Sequence, residues 1–162
     1  MGVSGCGKST IARMLARELQ VNFYDADNFH PRENISKMSN SQALTCGDRL
    51  PWLVELAKEV RKWNERDGGA VLACSSLKRT YREVLRFGGD VQFIYLKGSR
   101  ETLASRMQAR DSFMPISLLN SQLETLEEPR SAITVKIDLS PDEIIDEIFR
   151  HINREEEYAF YN

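Results

Sequence analysis

The chain begins with a glycine-rich loop, and this loop restricts the folds that the rest of the chain can adopt. Residues 2–9 read Gly-Val-Ser-Gly-Cys-Gly-Lys-Ser and satisfy every fixed position of the pattern G-x-x-x-x-G-K-[ST]. Glycines at these positions let successive backbone N–H groups turn inward around an anionic phosphate. The pattern therefore predicts a nucleoside triphosphate site whose phosphates face the N-terminus of the next helix.

The loop also assigns a role to individual residues. Lys8 is predicted to reach the β- and γ-phosphates of ATP and to act in catalysis, and Ser9 to ligate Mg²⁺. A glycine turn that merely precedes a helix is the alternative interpretation. The predicted ATP-binding residues of the loop and the helix start are Gly2, Val3, Ser4, Gly5, Cys6, Gly7, Lys8, Ser9 and Thr10.

Length and composition favour one soluble domain with small-molecule partners. A chain of 162 residues is long enough for a single domain with a real core, which we place at residues 1–153, followed by a tail at 154–162. A net charge of −2 argues against a general nucleic-acid or membrane surface. Three cysteines without a C-x-x-C pair, beside two histidines, make a disulfide framework or a zinc site improbable. We expect a cytoplasmic location.

Hydrophobic periodicity predicts an alternation of strands and helices after the loop. Apolar runs predict strands at 21–24, 70–74, 91–96 and 133–137. Helical patterns lie at 9–19, 31–38, 51–66, 78–87, 100–110 and 115–127, and a last helix begins with Pro141 after the N-cap Ser140. Continuous apolar runs that alternate with helices indicate a parallel sheet covered on both faces, a three-layer α/β/α P-loop fold.

Two carboxylates follow the first of these strands. Asp25 and Asp27 come just past its carboxyl end, which is the edge where open α/β sheets bind ligands. In a turn, one carboxylate can face Mg²⁺-bound water while the other faces a substrate hydroxyl. We predict Asp25 as a metal-binding residue and Asp27 as a substrate-binding catalytic residue. The alternative is a solvated acidic turn.

Four further motifs give the chain a specific resemblance. They are Tyr-Asp-x-Asp-x-x-His-Pro-x-x-Asn-x-x-Lys-Met from Tyr24, Asp-Arg-x-Pro-Trp-Leu from Asp48, Cys-Ser-x-Leu-Lys-x-x-Tyr-Arg from Cys74 and Gln-x-Glu-Thr-Leu-Glu from Gln122. Together with the loop, they resemble the gluconate kinases, also called gluconokinases, which are small P-loop kinases related in fold to shikimate and nucleoside monophosphate kinases. The resemblance runs from residue 2 to about residue 152.

This resemblance implies a reaction. The γ-phosphoryl group of ATP, with Mg²⁺, is transferred to the 6-hydroxyl of D-gluconate, and the product is 6-phosphogluconate for the pentose phosphate route. The resemblance also suggests a homodimer. Two alternatives stay open: a kinase of the same fold that acts on another small acid such as shikimate, and a catalytically silent nucleotide-binding protein.

The excursion at residues 28–50 supplies much of the predicted acceptor site. Gluconate is a linear polyhydroxy carboxylate, so its site needs cations and fixed hydrogen-bonding groups. The predicted substrate-binding residues are Asp27, His30, Lys37, Arg49, Lys78 and Arg82, with Asp27 accepting the proton of the attacking hydroxyl. The alternatives are that His30 caps a turn, that the two later basic residues face solvent, and that Asp48 and Arg49 form a local ion pair.

A lid is expected at about residues 106–116. Arg106 and Arg110, four residues apart before a loop, resemble the lid arginines that close over ATP, and we predict Arg110 as catalytic. A solvated helix end is the alternative. Two departures from the family concern this lid, which is one residue shorter, and residues 45–47, which are Thr-Cys-Gly where the family has an acidic run.

The strand that normally precedes such a loop is missing from the pattern, because Met1 alone comes before Gly2. In P-loop kinases this strand lies in the centre of the sheet. Its absence would expose two neighbouring strand edges and remove several buried apolar side chains, each worth about 1.5–3 kcal/mol. We therefore expect an open sheet centre and an incomplete sequence.

Overall fold

The computed structural model describes residues 1–40, 42–66, 68–109 and 117–160, and the side chains of these residues except those of 117 and 154–160. The helices are α1 Lys8–Glu18, α2 Arg32–Ser39, α3 Cys46–Arg66, α4 Arg79–Arg86, α5 Arg100–Ala109, α6 Ser117–Thr125 and α7 Pro141–Phe160. The strands are β1 Asn22–Asp25, β2 Ala70–Ala73, β3 Ile94–Lys97 and β4 Ile133–Lys136. The predicted α/β alternation is confirmed.

The strands form two parallel pairs. β1 pairs with β2, with Asn22 opposite Ala70, and β3 pairs with β4, with Ile94 opposite Ile133. Both pairings are parallel because a helix lies between the two strands in the chain, which carries the second strand back in the same direction. The facing edges of β2 and β3 remain unpaired with each other among the described residues.

The first two residues lie between these facing edges. The Met1 amino group donates to the Ile94 carbonyl oxygen at 2.5 Å, and the Leu96 N–H donates to the Met1 carbonyl oxygen at 3.0 Å. The Gly2 N–H donates to the Ser75 carbonyl oxygen at 3.2 Å, just past the end of β2. The start of the chain therefore joins the two strand pairs at the end of the sheet that carries the loop.

A cavity of about 250 Å³ extends from Met1 between the two strand pairs. Its lining is mainly apolar and includes Leu15 of α1, Trp63 of α3, Val71 of β2 and Ile94 of β3. We call it the sheet-centre cavity.

Two hydrophobic clusters cover the sheet. One contains Leu15 of α1, Leu103 of α5 and Ile148 of α7, packed with Val135 of β4. The other contains residues of α3 and α4, including Leu53, Leu56, Tyr81 and Leu85, together with Phe93. Helices from different parts of the chain thus bury separate apolar surfaces, as expected for a layered α/β fold.

The long helix α3 begins earlier than the sequence predicts. It starts at Cys46 rather than Pro51, because Thr45 and Asp48 cap its first turn. The Asp48 carboxylate accepts from the Thr45 N–H at 2.9 Å, and the Thr45 hydroxyl accepts from the Asp48 N–H at 3.2 Å. This reciprocal pair is a capping box at the start of α3, and Pro51 lies inside the helix.

Two other boundaries also differ from the prediction. β3 starts at Ile94, three residues after the predicted start of its apolar run, at the first residue that faces both Met1 and β4. The last helix continues to Phe160, through most of the segment expected to be a tail, where arginine, glutamate and alanine favour helix. In the described ranges, no helix is long and apolar enough to cross a membrane.

Candidate active site

The phosphate-binding loop has the backbone that its glycines allow. Gly5 and Gly7 have φ angles of 82° and 91°, in the left-handed region that favours glycine. A Cβ atom at Gly5 would also lie 3.0 Å from the Leu103 carbonyl oxygen. Gly7 is the N-cap of α1, so the loop leads directly into the positive end of a helix of 11 residues. This arrangement suits an anionic phosphate.

Side chains hold the loop on two sides. The Lys8 ammonium donates to the Val3 carbonyl oxygen at 3.0 Å, across the loop. The Ser4 N–H donates to Oε1 of Gln122 at 2.7 Å, which ties the loop to α6. Gln122 was absent from the predicted site residues, although it opens the Gln-x-Glu-Thr-Leu-Glu motif. The motif was the signal that could have identified it.

The predicted metal-binding residues lie together. The Ser9 hydroxyl, in the first turn of α1, donates to Oδ2 of Asp25 at 2.7 Å, at the end of β1. A hydroxyl and a carboxylate are the hard oxygen ligands that Mg²⁺ takes, and this ion commonly binds through one or two protein oxygens plus substrate phosphates and water. The residues present therefore fit Mg²⁺ at this place.

Asp27 lies in a short 3₁₀ turn, Ala26–Phe29, directly after β1. Its N–H donates to Oδ1 of Asp25 at 3.2 Å, so the first carboxylate caps the turn that carries the second. The surrounding protein excludes part of the solvent, and the Asp25 charge adds repulsion; both raise the pKa of Asp27 above its ordinary value, while Lys8 opposes them. The side chain is 81% exposed, so it stays open to a substrate.

A polar cavity of about 90 Å³ lies between the loop and the excursion, and we call it the acceptor cavity. The sequence-predicted residues that line it are Ser4, Lys8, Asp27, His30 and Arg49. Four further residues line it and were not predicted, although three of them are fixed positions of the motifs that begin at Cys74 and Gln122: Ser75, Ser121, Gln122 and Thr125. The phosphate-binding loop and the predicted acceptor residues thus meet in one cavity.

His30 is held as a neutral ring. It stacks on Trp52, with ring centroids 4.1 Å apart and an interplanar angle of 17°. Burial, helped by the nearby Arg49 charge, lowers the pKa of His30 to about 4. Trp52 is 3% exposed and belongs to the core, and it also forms part of the cavity wall.

Arg49 lines the cavity from the first turn of α3. Its Nη1 donates to the Leu44 carbonyl oxygen at 2.5 Å, and its guanidinium lies 5.8 Å from the centre of the Tyr81 ring. Both contacts fix the side chain while its charge stays available to an anionic ligand. The structure does not pair Arg49 with Asp48, so the local ion pair considered as an alternative is absent between these two described residues.

The two lysines predicted to bind the substrate, Lys37 and Lys78, do not line the acceptor cavity in the described part of the chain. Lys37 forms an ion pair with Asp48 at 2.6 Å, and this contact together with Thr45 lowers the pKa of Asp48 to about 2. Lys78 donates to Sγ of Cys46 at 3.4 Å. Lys37 instead connects α2 to α3, and Lys78 connects the start of α4 to α3.

Two predicted arginines donate to backbone carbonyl oxygens. Arg82 is 5% exposed, and its Nη1 donates to the carbonyl oxygens of Ser76 at 2.9 Å and Leu77 at 3.1 Å. These carbonyls need a donor because Ser76 has a φ of 46°, which turns the chain away from strand geometry. Arg106 donates from Nη2 to the Ile137 carbonyl oxygen at 2.6 Å.

That Arg106 and Arg82 bind ligands stays a prediction, because a guanidinium that donates to backbone carbonyl oxygens from one nitrogen keeps further N–H donors. The prediction for Arg110 and most of the predicted lid lie outside the described residues.

The fold and the loop together define the class of this protein. Parallel strands, a phosphate-binding loop and an adjacent polar cavity are the features of P-loop kinases that act on small molecules. The shikimate kinase family model matches residues 4–153, which is most of the chain.

Individual relatives identify the family within this class of kinases. A gluconokinase from Gluconobacter oxydans (strain 621H) is 45% identical, over 96% of this chain and 90% of that protein. A gluconokinase from Arabidopsis thaliana is 41% identical, over 94% of this chain and 89% of that protein. The crystal structure of a gluconokinase from Sinorhizobium meliloti 1021 is 40% identical with a TM-score of 0.89, over 99% of this chain and 93% of that one. The chain belongs to the gluconokinase family.

This membership confirms the resemblance predicted from the four motifs and the loop. It also makes the chain a kinase, and kinase chemistry implies ATP as the phosphoryl donor.

Proposed function

We propose that this chain transfers the γ-phosphoryl group of ATP to the 6-hydroxyl of D-gluconate. One observation carries the proposal: a single polar cavity is lined by the phosphate-binding loop on one side and by Asp27, His30 and Arg49 on the other. Phosphoryl transfer needs the donor phosphate and the acceptor hydroxyl in line and close together. Family membership supports gluconate as the acceptor.

On the donor side, the loop amides and the start of α1 bind the phosphates of ATP. Lys8 leaves the Val3 carbonyl oxygen and moves its ammonium to the β- and γ-phosphates. Ser9 and Asp25 would hold Mg²⁺, which supplies charge neutralisation to the phosphates when it is bound. Gln122 keeps the loop in place through the Ser4 N–H.

On the acceptor side, Asp27 accepts the proton of the attacking hydroxyl. Its raised pKa makes it a better base than an ordinary aspartate, because basicity increases with pKa. Arg49 supplies a fixed positive charge for the gluconate carboxylate, and His30 supplies a polar group inside the cavity.

The test is the formation of ADP by the purified chain with ATP, Mg²⁺ and a panel of D-gluconate, shikimate and other sugar acids. D-Gluconate should be the substrate with the highest kcat/KM, and phosphorus NMR should identify 6-phosphogluconate. Lys8→Ala should lower turnover by roughly 10²–10³-fold, the usual effect of removing a charge that stabilises the transition state. Lys58→Ala is the matched control, since Lys58 is exposed on α3 and pairs with Glu55.

A second candidate function is phosphorylation of shikimate, which the match to the shikimate kinase family model favours. Turnover of shikimate without turnover of gluconate would replace the first proposal with this one. A folded chain that binds ATP and phosphorylates no acid would instead support the silent nucleotide-binding protein.

A further inference from the structure

A buried asparagine contacts His30 from the start of α2. Asn34 is 3% exposed, and no role was predicted for it. Its Nδ2 atom lies 2.9 Å from the Asp48 carbonyl oxygen and 3.3 Å from Nδ1 of His30. A buried amide of this kind is costly unless its hydrogen bonds are made, so both contacts matter for its position.

These two contacts fix the direction of the hydrogen bond to His30. A carbonyl oxygen can only accept, so the Asn34 atom that faces Asp48 is the amide nitrogen. An amide nitrogen has two N–H donors and does not accept, so its second N–H donates to Nδ1 of His30. In a neutral imidazole the accepting nitrogen carries no proton and the other nitrogen carries it. The proton of His30 is therefore on Nε2.

The ring that carries this proton has a fixed orientation. The His30 side chain is 4% exposed and stacks on Trp52, whose Nε1 donates to the Ala26 carbonyl oxygen at 2.8 Å. The charged groups near the ring are Arg49 and Asp27, and burial together with the Arg49 charge lowers the pKa of His30 to about 4, so the imidazole is neutral at pH 7. The ring therefore neither rotates nor becomes protonated at pH 7, and Nε2 keeps its position.

The protonated nitrogen and the predicted base are neighbours. Nε2 of His30 lies 3.9 Å from Oδ1 of Asp27, which is too long for a hydrogen bond between them. Both residues line the acceptor cavity. A hydroxyl oxygen placed beside this pair can lie within about 2.8 Å of both atoms, accepting from Nε2–H and donating to the carboxylate.

We propose that Asn34 is a positioning residue that sets the Nε2–H tautomer of His30, so that His30 and Asp27 together hold one hydroxyl of the acceptor. The tautomer part stands on the contacts of Asn34 alone. The hydroxyl part rests on the proposed function, because it needs a polyhydroxy substrate in the acceptor cavity.

The tautomer is measured directly by two-bond ¹H–¹⁵N correlation NMR on the ¹⁵N-labelled chain at pH 7. The chain has two histidines, so His151→Gln assigns the His30 signals. The wild-type spectrum should show a protonated Nε2 and an unprotonated Nδ1. Asn34→Ala should leave a mixture of tautomers, and Asn34→Asp, which accepts where Asn34 donates, should place a proton on Nδ1.

Asn40→Asp is the matched control, because Asn40 ends the same helix, is exposed and contacts only the Ser36 carbonyl oxygen through its Nδ2 in the described structure. Its spectrum should equal that of the wild type. A wild-type spectrum with the proton on Nδ1 overturns the proposal, and so does an unchanged His30 pattern in a folded Asn34→Ala. If Asn34→Asp fails to fold, the wild-type and Asn34→Ala spectra still show whether Asn34 sets the tautomer of His30.

The hydroxyl part is tested by adding D-gluconate. It should shift the His30 Nε2 signal of the wild type, and Asn34→Ala should raise the KM for gluconate by about tenfold while the KM for ATP changes by less than about twofold, as expected for loss of one directed hydrogen bond. Equal changes in both KM values would overturn a positioning role. If no acid is phosphorylated, the proposed function fails, whereas the spectra recorded without substrate still show which nitrogen of His30 carries the proton.

Discussion

The acceptor cavity and the sheet-centre cavity differ in how they are built. Around the acceptor cavity, buried polar groups have partners: Asn34 makes two hydrogen bonds, and the Trp52 indole binds the Ala26 carbonyl oxygen. In the sheet-centre cavity, mainly apolar side chains surround about 250 Å³ of space between strands β2 and β3. Hydrogen bonds within the excursion and to α3 therefore fix the acceptor residues locally, whereas unfilled space lies beneath the loop.

The largest expected effect is on catalysis at the acceptor side. Asp27→Asn keeps the shape of the side chain and removes its basicity, so kcat for gluconate should fall by roughly 10²–10⁴-fold. The side chain is 81% exposed, so the unfolding free energy should change little. Asp142→Asn, in the exposed first turn of α7, is the control. A loss of less than about tenfold would exclude Asp27 as the general base.

The two tryptophans allow the two cavities to be compared directly. Trp52 stacks on His30, and Trp63 stacks on Tyr24 at 4.2 Å and lines the sheet-centre cavity. Truncation of either residue to alanine should lower the unfolding free energy by about 3–5 kcal/mol, measured by urea denaturation and circular dichroism. Only Trp52→Ala should also raise the KM for gluconate, because only His30 loses its support. An equal KM change in Trp63→Ala would show that the two regions are coupled.

His30 gives the acceptor side a pH dependence of stability. Its pKa is about 4 in the folded chain against an ordinary value near 6.5, so between these values the unfolded chain binds more protons. The stabilisation is present above about pH 6.5 and is lost as the pH falls towards 4, by at most about 3 kcal/mol. His30→Gln should remove this part of the slope in denaturation curves taken from pH 7 to 4. The same substitution at His151 controls for loss of an imidazole, and an unchanged slope in His30→Gln would contradict the assignment.

Much of the donor side could be predicted from the sequence. The loop pattern fixes the backbone around the phosphates, and parallel topology brings the end of β1 to the start of α1, which places Asp25 beside Ser9. Hydrophobic periodicity predicts the order of strands and helices, because a buried strand is a continuous apolar run and an amphipathic helix repeats its apolar residues every three to four positions.

The buried polar contacts could not be predicted in this way. The spacing of Lys78 and Arg82 is compatible with solvent, ligand or backbone, and the choice depends on the positive φ of Ser76, which periodicity does not reveal. Asn34 is important because the Asp48 carbonyl oxygen, from another helix, lies opposite it. Contacts of this kind depend on tertiary geometry. The sequence shows that a polar residue is present but does not show which group it contacts.

The smallest effect provides a matched test of packing. Ala73 in β2 lines the sheet-centre cavity, whereas Ala26 at the acceptor side is fully buried beside Trp52. Replacement of each alanine by valine adds the same two methyl groups. Ala73→Val should raise the unfolding free energy by about 0.5–2 kcal/mol, because the methyl groups fill space and valine suits a strand. Ala26→Val should lower it by about 1–3 kcal/mol, because no space is available and the turn that carries Asp27 must shift.

Urea denaturation of both variants measures this difference, and gluconate turnover provides an independent check of where each change acts. Ala73→Val should leave turnover close to that of the wild type, since the added methyl groups lie away from the acceptor residues. Ala26→Val should lower turnover as well as stability, because Asp27 follows directly in the chain. If both valines destabilise the chain equally, the sheet centre is packed as tightly as the acceptor side, and the contrast between the two cavities does not hold in solution.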